Sequence, residues 1–223
     1  MRDFQELINS LQARSEPGLF NVSIDESWLQ GRTAFGGLST ALVIAAMQRQ
    51  VVPDRRLRTL SVLFVGPVGS GDHQIQLREL RSGGSVSHLQ GELLCNGEVG
   101  VTVLAAYGKD RASMIRIDGP AMPSVIAPES AVAMPYIEGI TPEFTRHFDI
   151  RLSHGSMPFC GAETADFGMW LRFLKARPID LPALVALADV PPMPGLNMLK
   201  PPAVGSSLSW NLEFPAPLPV AHA

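Results

Sequence analysis

Cysteine, clustered charge and long apolar runs are all scarce in this chain. Only Cys95 and Cys160 occur among 223 residues, in unrelated surroundings. Neither belongs to a CxxC or a Cys/His cluster, so neither a metal site nor a disulfide framework is expected. Lys and Arg do not gather in any segment and the net charge is −3, which gives no reason to expect a nucleic acid or an anionic membrane surface as partner. The opening MRDFQELINS lacks the apolar core of a secretory signal and predicts a cytoplasmic protein. The uncharged, largely apolar run Ala34–Met47 spans about 14 residues and is interrupted by Ser39 and Thr40. A membrane span needs roughly 20, so none is expected.

With 46% hydrophobic and 17% charged residues, the composition is that of a globular protein with room for one large core or two small ones. Thr33–Gln50 organises the rest. Its apolar residues run almost all the way round a helical projection, so a helix here must be enclosed on most sides. Gly36, Gly37, Ala41, Ala45 and Ala46 leave room for close approach of neighbouring backbone.

Ahead of it, Phe4, Leu7, Ile8 and Leu11 have the spacing of a short amphipathic helix ending before Pro17-Gly18. Phe20–Asp25 alternates as a half-buried strand, and Trp28 and Gly31 follow in a loop. After the central helix, strands are predicted over Leu60–Val65, His73–Leu80 and Ser85–Cys95. Asn96-Gly97 marks a hairpin, and Val99, Val101 and Val103 share a face on the returning strand. A strand, a buried helix and a four-strand antiparallel meander describe one hotdog unit, a curved sheet wrapped round a long helix.

Prolines at 120, 123, 128, 135 and 142 break any period between Lys109 and Thr145, which reads as a linker. The order then begins again: strands at Phe148–Leu152 and Gly168–Leu174, and a helix at Leu181–Val190 with Asp180 as N-cap and Pro182 in its first turn. A last strand, Ser206–Phe214, follows. LVIAAM (Leu42–Met47) matches LVALAD (Leu184–Asp189), and LFVGPV (Leu63–Val68) matches EFPAPL (Glu213–Leu218), with Phe64 opposite Phe214. These pairs suggest an internal duplication. The expected fold class is α+β, a double hotdog. Residues 1–16 form a leading helix, 17–108 the first unit, 109–145 the linker and 146–223 a second unit. That second unit has no counterpart to three strands of the first, so either the chain lacks its natural end or its sheet is completed from elsewhere.

The ordered pieces resemble the tandem-hotdog acyl-CoA thioesterases of the thioesterase II type. They are AFGG, LFVGPV, ELRSGGSVSHLQGELLCNGEVG, DIRL, MWLRF, ALADVPP and SSLSWNLEF. Gly84 departs from the Arg usual in the family's GRS-like hairpin. The resemblance implies hydrolysis of a fatty acyl-CoA substrate without cofactor, metal or covalent intermediate. It implies water held by an Asp, a Thr or Ser, and a Gln, the first two falling on Asp189 and Ser207. The Gln would lie on a strand for which this chain has no counterpart. The residues themselves are compatible with this. Asp189 is the only acid in LPALVALADVPP, where burial would raise its pKa and suit it to base work, and a cap role at a helix C-terminus does not explain it. Gly36-Gly37 either permits tight packing, the simpler reason, or offers backbone N–H groups to a substrate oxygen. Met47 holds the first unit's counterpart of Asp189.

Other motifs fail. GGSVS around Ser85 lies between strands and ends in Ser87, unlike a nucleophile elbow. His73, His88, His147 and His154 have neither HExxH nor triad spacing. No Asp/His pair of the enoyl-CoA hydratase kind adjoins either central helix. A non-catalytic acyl-CoA or acyl-chain binding protein of the same fold is the alternative, and an incomplete second sheet predicts a homo-oligomer.

Overall fold

In the computed structural model the described residues are 1–115, 117–201 and 205–218. Helix α1 (Phe4–Asn9) begins with a capping box. Asp3 accepts from the Glu6 N–H at 2.8 Å and Glu6 accepts from the Asp3 N–H at 2.7 Å, so two otherwise orphaned donors are satisfied reciprocally. Strands β1 (Gln12–Ala13) and β2 (Leu19–Ile24) follow. A 3-10 turn at Glu26–Trp28 leads to the small hairpin β3 (Leu29–Gln30) and β4 (Thr33–Ala34).

Helix α2 (Gly36–Gln48) is the enclosed helix that its apolar circumference demands, with every residue from Gly37 to Met47 buried. Its two internal hydroxyls are satisfied within the helix: Thr40 Oγ1 donates to the Gly36 carbonyl at 2.9 Å and Ser39 Oγ to that of Phe35 at 3.4 Å. That bonding lets polar residues sit in a buried helix.

Strands β5 (Arg56–Phe64), β6 (Gly71–Ser82), β7 (Val86–Cys95) and β8 (Glu98–Gly108) complete the first unit, all antiparallel to their neighbours. The expected four-strand meander is corrected in one respect. Only β6, β7 and β8 run in sequence, while β5 lies beyond β8, giving the order β1-β2-β6-β7-β8-β5. This placement leaves β5 free to pair with the second unit. The expected face of Val99, Val101 and Val103 is also broken, because Gly100 is the extra residue of a bulge between Leu93–Val101 and Leu94–Val99. Its carbonyl accepts from both Val65 and Gly66 N–H groups, and a Cβ there would lie 2.4 Å from Val68. Val101 and Val103 are buried, and Val99 is half-buried. At the hairpin, Asn96 and Gly97 both have positive φ, 52° and 83°, as a type I′ turn requires.

The stretch after β8 carries β9 (Val132–Ala133) and a 3-10 turn at Glu143–His147. Strands β10 (Phe148–Gly155) and β11 (Phe167–Phe173) form with β9 a three-stranded antiparallel sheet, in the order β11-β10-β9. An aromatic cluster ties this sheet to the first unit. Trp28 stacks on His147 at 3.8 Å and Phe35 on Phe144 at 4.1 Å, with Phe148, Phe173 and Phe4 alongside.

Helix α3 (Leu181–Ala188) is capped by Asp180, which accepts from the Ala183 N–H at 2.9 Å. Strand β12 (Ser209–Glu213) pairs with β5 and ends the large sheet, making it seven-stranded. The register supports the duplication. If Phe64 corresponds to Phe214, Ser61 corresponds to Asn211, and these two face each other, flanked by Leu60–Leu212 and Val62–Trp210. A pseudo-two-fold axis therefore passes between Ser61 and Asn211. Among the described residues, no helix is long and apolar enough to cross a membrane.

Candidate active site

Asp189 is the C-cap of α3, placed there because Pro191-Pro192 cannot continue the helix. The C-terminal end of α3 meets the N-terminal end of α2. That end has no side-chain cap of its own, since Phe35 occupies the N-cap position. The Asp189 carboxylate faces this gap from the other unit, where the nearby Gly37 backbone N–H favours its charged form. Negative charge is favoured at a helix N-terminus, yet burial outweighs it. With no cationic side chain among the described residues to compensate, the Asp189 pKa is pushed up to about 6, burial raising it and the Gly37 N–H lowering it in part. The residue remains half-buried rather than sealed.

The two glycines are needed for this meeting. A Cβ on Gly36 would lie 2.9 Å from Asp189 Oδ2 and from the Phe64 ring. One on Gly37 would lie 2.6 Å from the Phe35 ring and 2.8 Å from the Ala186 carbonyl. Tight packing, the simpler of the two readings of these glycines, is what these distances describe. Gly36, Gly37 and Asp189 come together.

Ser207 does not join them by a hydrogen bond. It is exposed, two residues before β12 begins, next to Leu208, whose carbonyl accepts from the Phe64 N–H at 3.1 Å. Phe64 is the neighbour that sequence reasoning did not assign to the site. Its only signal was its match to Phe214. Two cavities, of about 250 and 360 Å³, lie elsewhere and include neither Asp189 nor the two glycines.

The arrangement offers a carboxylate that is part protonated near neutrality, facing the start of a helix from which donors emerge. It can take a proton from water and stabilise charge on a nearby oxygen.

Two helices enclosed by antiparallel sheets, joined through β5 and β12 about a pseudo-two-fold axis, define a double-hotdog protein. The chain belongs to the acyl-CoA thioesterase family: the N-terminal domain of that family matches residues 24–108 and its C-terminal domain residues 128–222. Solved structures share the fold. A hot-dog-fold protein of unknown function from Alicyclobacillus acidocaldarius superposes with a TM-score of 0.82 at 23% identity, over 97% of this chain and 79% of that one. A candidate thioesterase II from Thermobifida fusca gives 0.75 at 19% identity, over 95% and 81%. An acyl-CoA thioesterase II from Mycobacterium marinum gives 0.63 at 19% identity, over 83% and 68%. No curated protein sequence matches the chain.

Proposed function

We propose that the protein hydrolyses the thioester of a fatty acyl-CoA, releasing free acid and CoA. The observation that carries this reading is the half-buried Asp189 carboxylate, with a pKa of about 6, set against the N-terminus of α2. In the proposed reaction Asp189 accepts a proton from water as the water oxygen attacks the thioester carbonyl carbon. The start of α2 around Gly36 and Gly37 attracts the negative charge that develops on the carbonyl oxygen. Collapse of the tetrahedral species breaks the C–S bond, and the proton held by Asp189 goes to the leaving thiolate. Ser207 is assigned to orient the water from the segment leading into β12. The reaction calls for no cofactor. Among the described residues the outer edge of β12 is unpaired, which favours a homo-oligomer, and the protein is assigned to the cytoplasm.

The test is thiol release from acyl-CoA thioesters of graded chain length, measured for the wild type and Asp189→Asn. Release by the wild type that disappears in the variant, with acyl-CoA still bound, supports the reading. Binding without release by the wild type makes the protein an acyl-CoA carrier instead.

A further inference from the structure

The pseudo-two-fold axis gives the Asp189 site a counterpart at the opposite end of the helix pair. The Asp189 site is bounded by the end of α3, the start of α2 and Phe64. Its mate is bounded by the end of α2, the start of α3 and Phe214. A cavity of about 250 Å³ occupies that second position, lined by Gln48, Val51, Leu57, Leu181, Phe214 and Leu218 among others. The residue corresponding to Asp189 is Met47, fully buried and without an ionisable group, so the position equivalent to Asp189 carries no base.

What it does have is two stranded donors. Tyr107 and Arg55 both line the cavity, and the Tyr107 hydroxyl and Arg55 Nε are buried without a hydrogen-bond partner. Arg55 Nε lies 3.9 Å from Asp54 Oδ1, beyond hydrogen-bond reach. The rest of that guanidinium is engaged with Ser82, Ser87 and the Gly83 carbonyl. Arg56 is committed to Asp110 and to the carbonyls of Phe214, Pro215 and Ala216. A buried donor left unpaired is unfavourable, and two in one cavity call for an acceptor. Apart from Gln48 and Arg56, the other walls are apolar.

We propose that this cavity is a non-catalytic binding site for an apolar carboxylic acid, its carboxylate accepting from Tyr107 and Arg55 and its chain lying against Leu57, Leu181 and Phe214. At roughly 30 Å³ per water-sized group, the volume suits an acid of about eight to ten heavy atoms. The site does not require Asp189 to act as a base.

The test is isothermal titration of octanoate into the full chain, the Tyr107→Phe variant and the Val52→Trp variant. Val52 lines the cavity and is 45% exposed, so Trp there adds bulk to the cavity wall without disturbing the core. Tyr107→Phe deletes one oxygen and leaves no hydroxyl stranded, so its unliganded stability is expected to be equal or higher. Wild type should bind one octanoate per chain, with affinity reduced about tenfold or more in each variant. Acyl-CoA hydrolysis should be unchanged in Tyr107→Phe. Absence of saturable octanoate binding, or equal binding by the wild type and both variants, would overturn the assignment. Loss of hydrolysis in Asp189→Asn has no bearing on it.

Discussion

Replacing Asp189 by Asn should make the folded protein more stable at neutral pH. The carboxylate has a pKa of about 6 in the folded chain against 3.8 when unperturbed. Because the folded value is raised, the stability linked to its proton is fully present below pH 3.8 and is lost as pH rises through 6. That difference corresponds to about 3 kcal/mol at full effect. Residual solvent access at a half-buried side chain reduces the observable gain to about 1–2 kcal/mol. Asn keeps an oxygen near the Gly37 N–H and introduces no charge to desolvate. The assay is urea unfolding of both proteins at pH 4, 6 and 8. The curves should diverge progressively as pH rises, with the variant more stable at pH 8. If the variant is equally or less stable at pH 8, burial does not strain the carboxylate and the electrostatic argument fails.

Gly37→Ala should destabilise by about 1–3 kcal/mol in thermal or urea unfolding, although Ala is the better helix former, because its Cβ meets the Phe35 ring and the Ala186 carbonyl. His147 is held down to about 4 by burial, so its contribution is present above pH 6.5 and lost as pH falls toward 4. His147→Phe should flatten stability across that window by up to roughly 3 kcal/mol, read from unfolding midpoints against pH. Ser207→Ala should lower kcat less than Asp189→Asn, as measured by thiol release, since an exposed hydroxyl without a fixed partner is more easily replaced by water. Light scattering should find an oligomer, and a monodisperse monomer at high concentration would contradict the edge argument built on β12.

The first unit was legible because its signals are local. Alternation marked β2 and β6, Asn96-Gly97 marked the hairpin, and an apolar circumference marked α2. Asp189 stood out as the lone acid in an apolar helix. The order of strands was not legible, since nothing in the local period of β5 says that it lies beside β8 and β12 rather than β6. The Gly100 bulge was hidden for a similar reason: the contact that requires glycine there is with Val68, some thirty residues earlier. Nor could periodicity show that Gly37 would supply the N–H facing Asp189, because that contact joins the ends of helices in different units. Two-residue β9 is too short for any pattern to reveal. The matched Phe64 and Phe214 did carry information, since they set the offset that the β5–β12 register reproduces.

The most direct test of the account is the pH dependence of kcat/KM for acyl-CoA hydrolysis by the wild type and Asp189→Asn. A base must be unprotonated to act, so the wild-type rate should rise with pH through an inflection near 6, the Asp189 value. In the Asn variant the inflection should vanish and kcat fall by about 10²–10⁴-fold, with little change in KM. An Asn variant that keeps both the wild-type rate and the inflection would contradict the assignment of Asp189 as the base.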